Sequence, residues 1–283
     1  MSNNFDALHA AAVAAGEHRY RDPATGYQVF TALGLEARGE CCGAGCRHCP
    51  YAHDRVPPVL RAEQLDDPWI RGLSAGDVPV DVLSWSGGKD SFVALIALSR
   101  EAVRDVVLLT SFDGRSRRVA HQEVGLADIE AQAERLGVGL VGVPLYPERD
   151  YAGRMALALK RVAARRPVAR VVFGDLHLRH VRAWREAELG PAAAAVGATL
   201  HFPLWDVPYP ELEATLWASG AEVRVSAVAE PALDGRVRVG EPLSAAWMDA
   251  LPPGIDRMGE QGEFHTRVRP PAGGWRALAT RAG

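Results

Sequence analysis

The sequence predicts an α/β protein: a parallel, twisted sheet with helices on both faces, preceded by a small N-terminal cysteine-rich unit. Three observations carry this. From Pro79 onward, short β-branched runs alternate with longer stretches of helical period, and such alternation folds as a parallel sheet with crossover helices. All four cysteines, Cys41, Cys42, Cys46 and Cys49, fall in one stretch near the N-terminus. The length, 283 residues, suits about two domains.

The elements follow in order. Ala7–Gly16 reads as a short helix. Residues 1–53 form one compositional unit that holds Tyr20, Tyr27, Phe30 and the cysteines. Residues 54–78 read as a linker, with Pro57-Pro58 and Gly72 as breakers and Asp66-Asp67-Pro68 as a turn signal. An α/β domain then spans 79–206. Val80–Trp85 reads as a buried strand, and Asp90–Arg100 as a helix with Phe92, Val93, Ile96 and Ala97 on one face. Val106–Thr110 is a second strand, His121–Leu136 a helix, and Gly139–Leu145 a third strand. Asp150–Arg165 is a helix with Asp150 as its N-cap. Val168–Phe173 is a fourth strand, Val181–Leu189 a helix, and Thr199–Leu204 a fifth strand. Residues 207–283 read as a C-terminal closing region. Within it Pro210–Ser219 looks helical, Glu222–Ala229 extended, and Pro252–Gly274 loop-dominated, with a loosely held tail after Pro270.

Composition narrows the classes of function. A net charge of −3 excludes a generic polyanion binder, which needs surplus Lys and Arg. A 48% hydrophobic fraction excludes global disorder. No apolar run reaches the length of a membrane span, and the N-terminus, with Asp6 and no basic region, is a poor signal peptide. A cytoplasmic, membrane-free protein is expected. Lysine stands only at Lys89 and Lys160 among 32 basic residues, so each lysine draws notice.

The main chemical signal is Ser84-Trp85-Ser86-Gly87-Gly88-Lys89-Asp90-Ser91, between the first predicted strand and helix. Two glycines let the backbone turn tightly and approach an anion. The following helix start offers unpaired N–H groups and a positive dipole end. Ser86 and Ser91 add hydroxyls and Lys89 a full charge, which together make a phosphate cradle. Neither the Walker A pattern nor G-x-G-x-x-G is present. The stretch S-G-G-K-D-S resembles the PP-loop of the ATP pyrophosphatase superfamily, which implies a PP-loop/HUP-like fold and cleavage of ATP to AMP and pyrophosphate.

Further motifs extend the resemblance. Gly174-Asp175-Leu176 leads into Arg179, Arg182 and Arg185-Glu186. Phe202-Pro203-Leu204-Trp205 ends the fifth strand. Gly254-Ile255-Asp256 precedes Gly259-Glu260-Gln261-Gly262-Glu263-Phe264-His265-Thr266. From about Val80 to Pro270 this set resembles the diphthine–ammonia ligase family. Met258 departs from it, standing where many relatives carry cysteine. The resemblance implies ATP and Mg²⁺ as cofactors. A carboxylate, small or protein-borne, would be adenylated and then attacked by ammonia or another nucleophile. It makes Ser86, Gly87, Gly88, Lys89, Asp90, Ser91, Gly174 and Asp175 the nucleotide and Mg²⁺ residues. It makes Lys89, Asp175, Glu186, Glu263 and His265 the catalytic candidates, and Arg182, Glu186, Trp205, Glu263 and Thr266 the substrate candidates. Read without it, Arg182–Glu186 is equally a surface i,i+4 pair, Trp205 a core residue, and His265 a packing residue. His121, His177 and His180 read as ordinary surface histidines. Arg115, Arg117 and Arg118 either reach an anion or form a solvated run.

The cysteine segment reads C-C-x3-C-x2-C, with Gly43 and Gly45 allowing the backbone to wrap a centre. Clustering points to a metal site, not a disulfide scaffold. Four thiolates suit an Fe–S cluster or Zn²⁺. Consecutive Cys41 and Cys42 diverge as ligands of one metal, so His48 or His53 is an alternative ligand, and a redox-sensing thiol group an alternative role. Phe30–Tyr51 resembles a small family with the pattern C-C-G-x-G-C-x-x-C-P-Y, which adds a metal expectation. Two other functions stay open: a PP-loop tRNA-thiolating enzyme that uses an Fe–S centre, with tRNA as partner, and a nucleotide-binding redox-sensing module. A homodimer is compatible with either.

Overall fold

The computed structural model describes residues 5–23, 27–37, 46–51, 65, 67–101, 103–120, 122–146, 150–233 and 235–281. In the N-terminal unit, α1 (Phe5–Ala14) is followed by an antiparallel pair, β1 (Arg19–Arg21) and β2 (Gln28–Phe30), with Arg19 opposite Phe30. The Thr31 hydroxyl caps α2 (Ala32–Glu36) by accepting from Gly34 N at 3.2 Å. Asp22 is buried beside them and accepts from both Arg47 Nη atoms at 3.2 Å. Cys41, Cys42 and His53 lie outside the described residues.

The body is a six-stranded sheet. Its strands are β3 (Trp69–Arg71), β4 (Val80–Ser84), β5 (Asp105–Asp113), β6 (Gly139–Leu145), β7 (Val168–Val172) and β8 (Thr199–His201), in the spatial order β3-β6-β5-β4-β7-β8. All neighbours are parallel except β3, which runs antiparallel to β6 with Trp69 opposite Gly142. The predicted parallel sheet with helices on both faces is therefore the fold observed. It gains an antiparallel edge strand within the stretch read as a linker.

Four crossover helices cover the sheet: α3 (Lys89–Glu101), α4 (Leu126–Leu136), α5 (Tyr151–Ala163) and α6 (Arg179–Ala194). Side chains of a strand alternate between faces, so Leu83 and Val82 of β4 enter different cores. Leu83 joins Phe92, Ile96, Leu108 and Ile129 on the face of α3 and α4. Val82 joins Val107, Val141, Met155, Val171 and Leu189 on the face of α5 and α6. Asp150 caps α5 as expected, accepting from Ala152 N at 3.1 Å and Gly153 N at 2.8 Å. The second crossover helix begins at Leu126, five residues after the predicted start, because Gly125 is its N-cap.

The C-terminal region adds α7 (Tyr209–Ala218), β9 (Glu222–Val228), α8 (Ala245–Asp249), β10 (Phe264–Arg269) and α9 (Leu278–Arg281). Two expectations are corrected here. The stretch read as loop-dominated contains β10, which pairs antiparallel with β9. The tail is not loosely held: Trp275 and Leu278 are buried in the core of the α3 face.

Candidate functional site

The connection from β4 to α3 lies at the carboxyl end of the central strand. The chain builds outward through β5 and β6 on one side of β4, then returns to place β7 and β8 on the other. This is the topological switch point at which open α/β sheets bind ligands.

Fixed contacts hold the loop there. Gly87 has φ +78°, a left-handed conformation that favours glycine. Gln132 of α4 is buried behind it. Its Oε1 accepts from the Trp85 indole at 2.7 Å, and its Nε2 donates to the carbonyls of Gly87 at 3.1 Å and Val268 at 2.6 Å. Val268 N donates to the same Gly87 carbonyl at 2.9 Å. The amide of Lys89, first residue of α3, donates to Thr266 Oγ1 at 3.0 Å. Ser91 Oγ donates to Gly88 O at 3.0 Å and lies 3.3 Å from Ser86 Oγ. Gly174 packs on the same helix start; a Cβ there would stand 2.8 Å from Asp90 O and 2.9 Å from Asp90 C. The two glycine motifs and the C-terminal motif thus converge on one helix N-terminus.

The electrostatics are acidic around one cation. Lys89 is 3% exposed, and its Nζ donates to both Asp90 oxygens, at 3.0 and 2.9 Å. Burial raises the Asp90 pKa; the negative charges of Asp256 and Asp175 add to this, and Lys89 opposes it. Glu260 is pushed up to about 7, first by burial and next by the charge of Asp90, against a hydrogen bond from Leu176 N to its Oε1 at 3.0 Å. Asp256 Oδ1 accepts from Met258 N at 2.8 Å and Glu260 N at 3.2 Å. Glu263 Oε1 accepts from Asp256 N at 2.9 Å, while its buried Oε2 has no partner among the described residues. Met258, the departure noted in the sequence, is buried in the core.

This charge balance bears on Mg²⁺. Asp90, Asp256 and Glu260 face a single ammonium, a deficit that a divalent cation would relieve. Among the described residues no three His, Cys, Asp or Glu side chains enclose a metal by themselves. Mg²⁺ is usually held by one or two carboxylates together with substrate phosphates.

Other predicted residues sit differently. Asp175 faces Arg185, which donates to it bidentately at 2.5 and 3.0 Å and lies 4.4 Å from the centre of the Phe173 ring. In this structure both oxygens of its carboxylate are engaged by that guanidinium. Arg182 pairs with Glu186 at 2.9 Å, with side chains 34% and 51% exposed, so the plain surface-pair reading describes their contact. The Arg182 guanidinium also lies over Phe202 at 4.7 Å and Trp205 at 4.6 Å, which makes Trp205 a stacking surface. His265 is half-buried at a β-bulge between His265 and Thr266. In the N-terminal unit, His48 is engaged: its Nε2 is 2.9 Å from Tyr20 Oη, and its ring stacks on His9 at 3.8 Å.

Sequence reasoning missed Glu260, Asp256, Tyr209, Gln132 and Arg185 as site residues. Glu260, Asp256 and Arg185 lay inside quoted motifs; Tyr209 and Gln132 carry no local signal. It also missed Tyr27 of the N-terminal unit. Partial burial raises the pKa of that phenol, and the charges acting on it are Arg185, Asp175 and Glu260.

The fold and the loop agree with a domain of the PP-loop type. Residues 80–188 match the family described as Diphthamide synthase N-terminal domain. Residues 8–55 match a separate family of unknown function (DUF5522). Among the described residues no helix is long and apolar enough to cross a membrane.

Proposed function

We propose that this protein is an ATP-dependent ligase of the diphthine–ammonia ligase type, which adenylates a carboxylate, releases pyrophosphate and forms an amide. The observation that supports it best is the latch between the phosphate loop and β10. Lys89 N bonds Thr266, and Gly87 O bonds Val268 and Gln132, so S-G-G-K-D-S and G-E-Q-G-E-F-H-T act as one site. The loop amides and the start of α3 hold the β- and γ-phosphates, and Lys89 neutralises charge on the departing pyrophosphate. Asp90 and Glu260 would hold Mg²⁺, which would supply further charge neutralisation. Ser86, Gly88 and Ser91 line the loop. Asp175, fixed by Arg185, orders the neighbouring turn. Arg182, Glu186 and Trp205 form the outer wall on the acceptor side, and Glu263, His265 and Thr266 the wall from β10. The enzyme acts in the cytoplasm.

The test is product analysis. Incubation with ATP and a panel of carboxylic acids plus ammonium should yield AMP and pyrophosphate, and Lys89→Ala should abolish both. Release of ADP and orthophosphate would sink the mechanism.

The cysteine cluster favours one second reading, tRNA thiolation with a metal centre at Cys41, Cys42, Cys46 and Cys49. Iron and labile sulfide in anaerobically purified protein, with retention of bulk tRNA, would support it. A colourless, zinc-only protein would count against it.

A further inference from the structure

Three side chains from three segments form a hydrogen-bonded chain at the rim of this site. His177 follows β7, Tyr209 opens α7, and Asp256 lies in the loop before β10. The Tyr209 hydroxyl donates to Asp256 Oδ2 at 2.7 Å and lies 3.2 Å from His177 Nδ1. A phenol has a single proton. Since the carboxylate takes it, the imidazole must be the donor in the second bond, which places the ring proton on Nδ1. The neutral ring then carries its lone pair on Nε2. No protein group bonds Nε2 among the described residues, and the ring is half-buried.

The chain is held from both ends. Asp256 is fixed by bonds from Met258 N and Glu260 N and by its own amide on Glu263. Glu260 in turn accepts from Leu176 N, the residue before His177. The relay also adjoins the phosphate loop: Asp256, Glu260 and Asp90 all act on the Tyr209 phenol, whose pKa is raised, first by burial. A surface histidine needs none of this. A histidine that must present one chosen nitrogen does.

We propose that His177 is a catalytic base, taking a proton from the amine or ammonia nucleophile at Nε2, with Tyr209 and Asp256 as the positioning residues that set its tautomer. This rests on the adenylating-ligase reading. In the step, the nucleophile's nitrogen bonds to the acyl carbon. The bond from that carbon to the adenylate oxygen breaks, and AMP leaves with the electron pair. The proton shed by the nitrogen goes to His177.

The experiment has two arms on the full chain. Long-range ¹H–¹⁵N correlation of histidine-labelled protein should show His177 as the Nδ1–H tautomer, and Tyr209→Phe should shift it toward Nε2–H. An Nε2–H ring in the unmutated protein would overturn the proposal. In the second arm, ATP–pyrophosphate exchange reports adenylation, with whichever acid supports pyrophosphate release in the panel above, and amide formation with ammonium chloride reports the second step. His177→Gln keeps a donor for Tyr209 but has no basic lone pair. It should leave exchange within about twofold and slow amide formation at least tenfold, with partial rescue of His177→Ala by free imidazole. Normal amide formation by His177→Gln would refute the base and leave the ligase intact. Absence of exchange in the unmutated protein with every acid would instead overturn the ligase reading, and the base with it.

Discussion

Replacing Glu260 with Gln should stabilise the unliganded protein at pH 8 and change it little at pH 5. The carboxyl of Glu260 titrates at about 7 in the folded protein against an ordinary 4.5, because it is buried beside Asp90. Between those two values the folded state binds more protons than the unfolded state. Stability therefore falls as pH rises through the window, and the loss is complete above about pH 7. Each pH unit is worth about 1.4 kcal/mol, so the full destabilisation is about 3 kcal/mol. Gln keeps an oxygen for Leu176 N and loses the charge. Urea unfolding of the metal- and nucleotide-free chain should show Glu260→Gln more stable by up to about 3 kcal/mol at pH 8, and by less than about 1 kcal/mol at pH 5. With Mg²⁺ and ATP the order should narrow or reverse, since the lost charge is one that offsets the cation. An equal gain at both pH values, or a loss at pH 8, would refute the reasoning.

Other substitutions test the loop. Gly174→Ala drives a Cβ against the backbone of Asp90, with no flexible side chain to yield. It should cost about 2 kcal/mol in denaturant unfolding and weaken ATP binding in calorimetry at least tenfold. Gln132→Leu leaves the Trp85 indole unpaired in the core and removes two bonds to carbonyls. The expected loss is about 3 kcal/mol, read from the urea midpoint. Thr266→Val keeps shape but removes the acceptor for Lys89 N. It should cost about 1 kcal/mol and raise the KM for ATP more than it lowers the rate of pyrophosphate release.

The sheet was legible because its central strands are short runs rich in Val and Leu, and its loop is a run of adjacent residues with one chemistry. Asp150 was legible because a cap sits beside what it caps. Phe264 to Arg269 carries the strict alternation of a half-buried strand, with Phe264, Thr266 and Val268 buried. The glycines before it and Pro270-Pro271 after it outweighed that pattern. Trp69–Arg71 is too short to show a period. The pairing of Asp175 with Arg185, ten positions along, was not legible because no helical face rule flags that separation. Gln132, Tyr209 and His177 act through partners 32 to 136 residues away, which only the tertiary fold brings together.

The bond between Lys89 N and Thr266 spans 177 residues. During synthesis the whole S-G-G-K-D-S stretch leaves the ribosome long before the strand that braces it exists. A nascent chain thus carries the motif without the grip. Docking of β10 fixes Gly87 and Lys89 together, so on the proposed function a chain would acquire its phosphate grip only once it has folded through Val268.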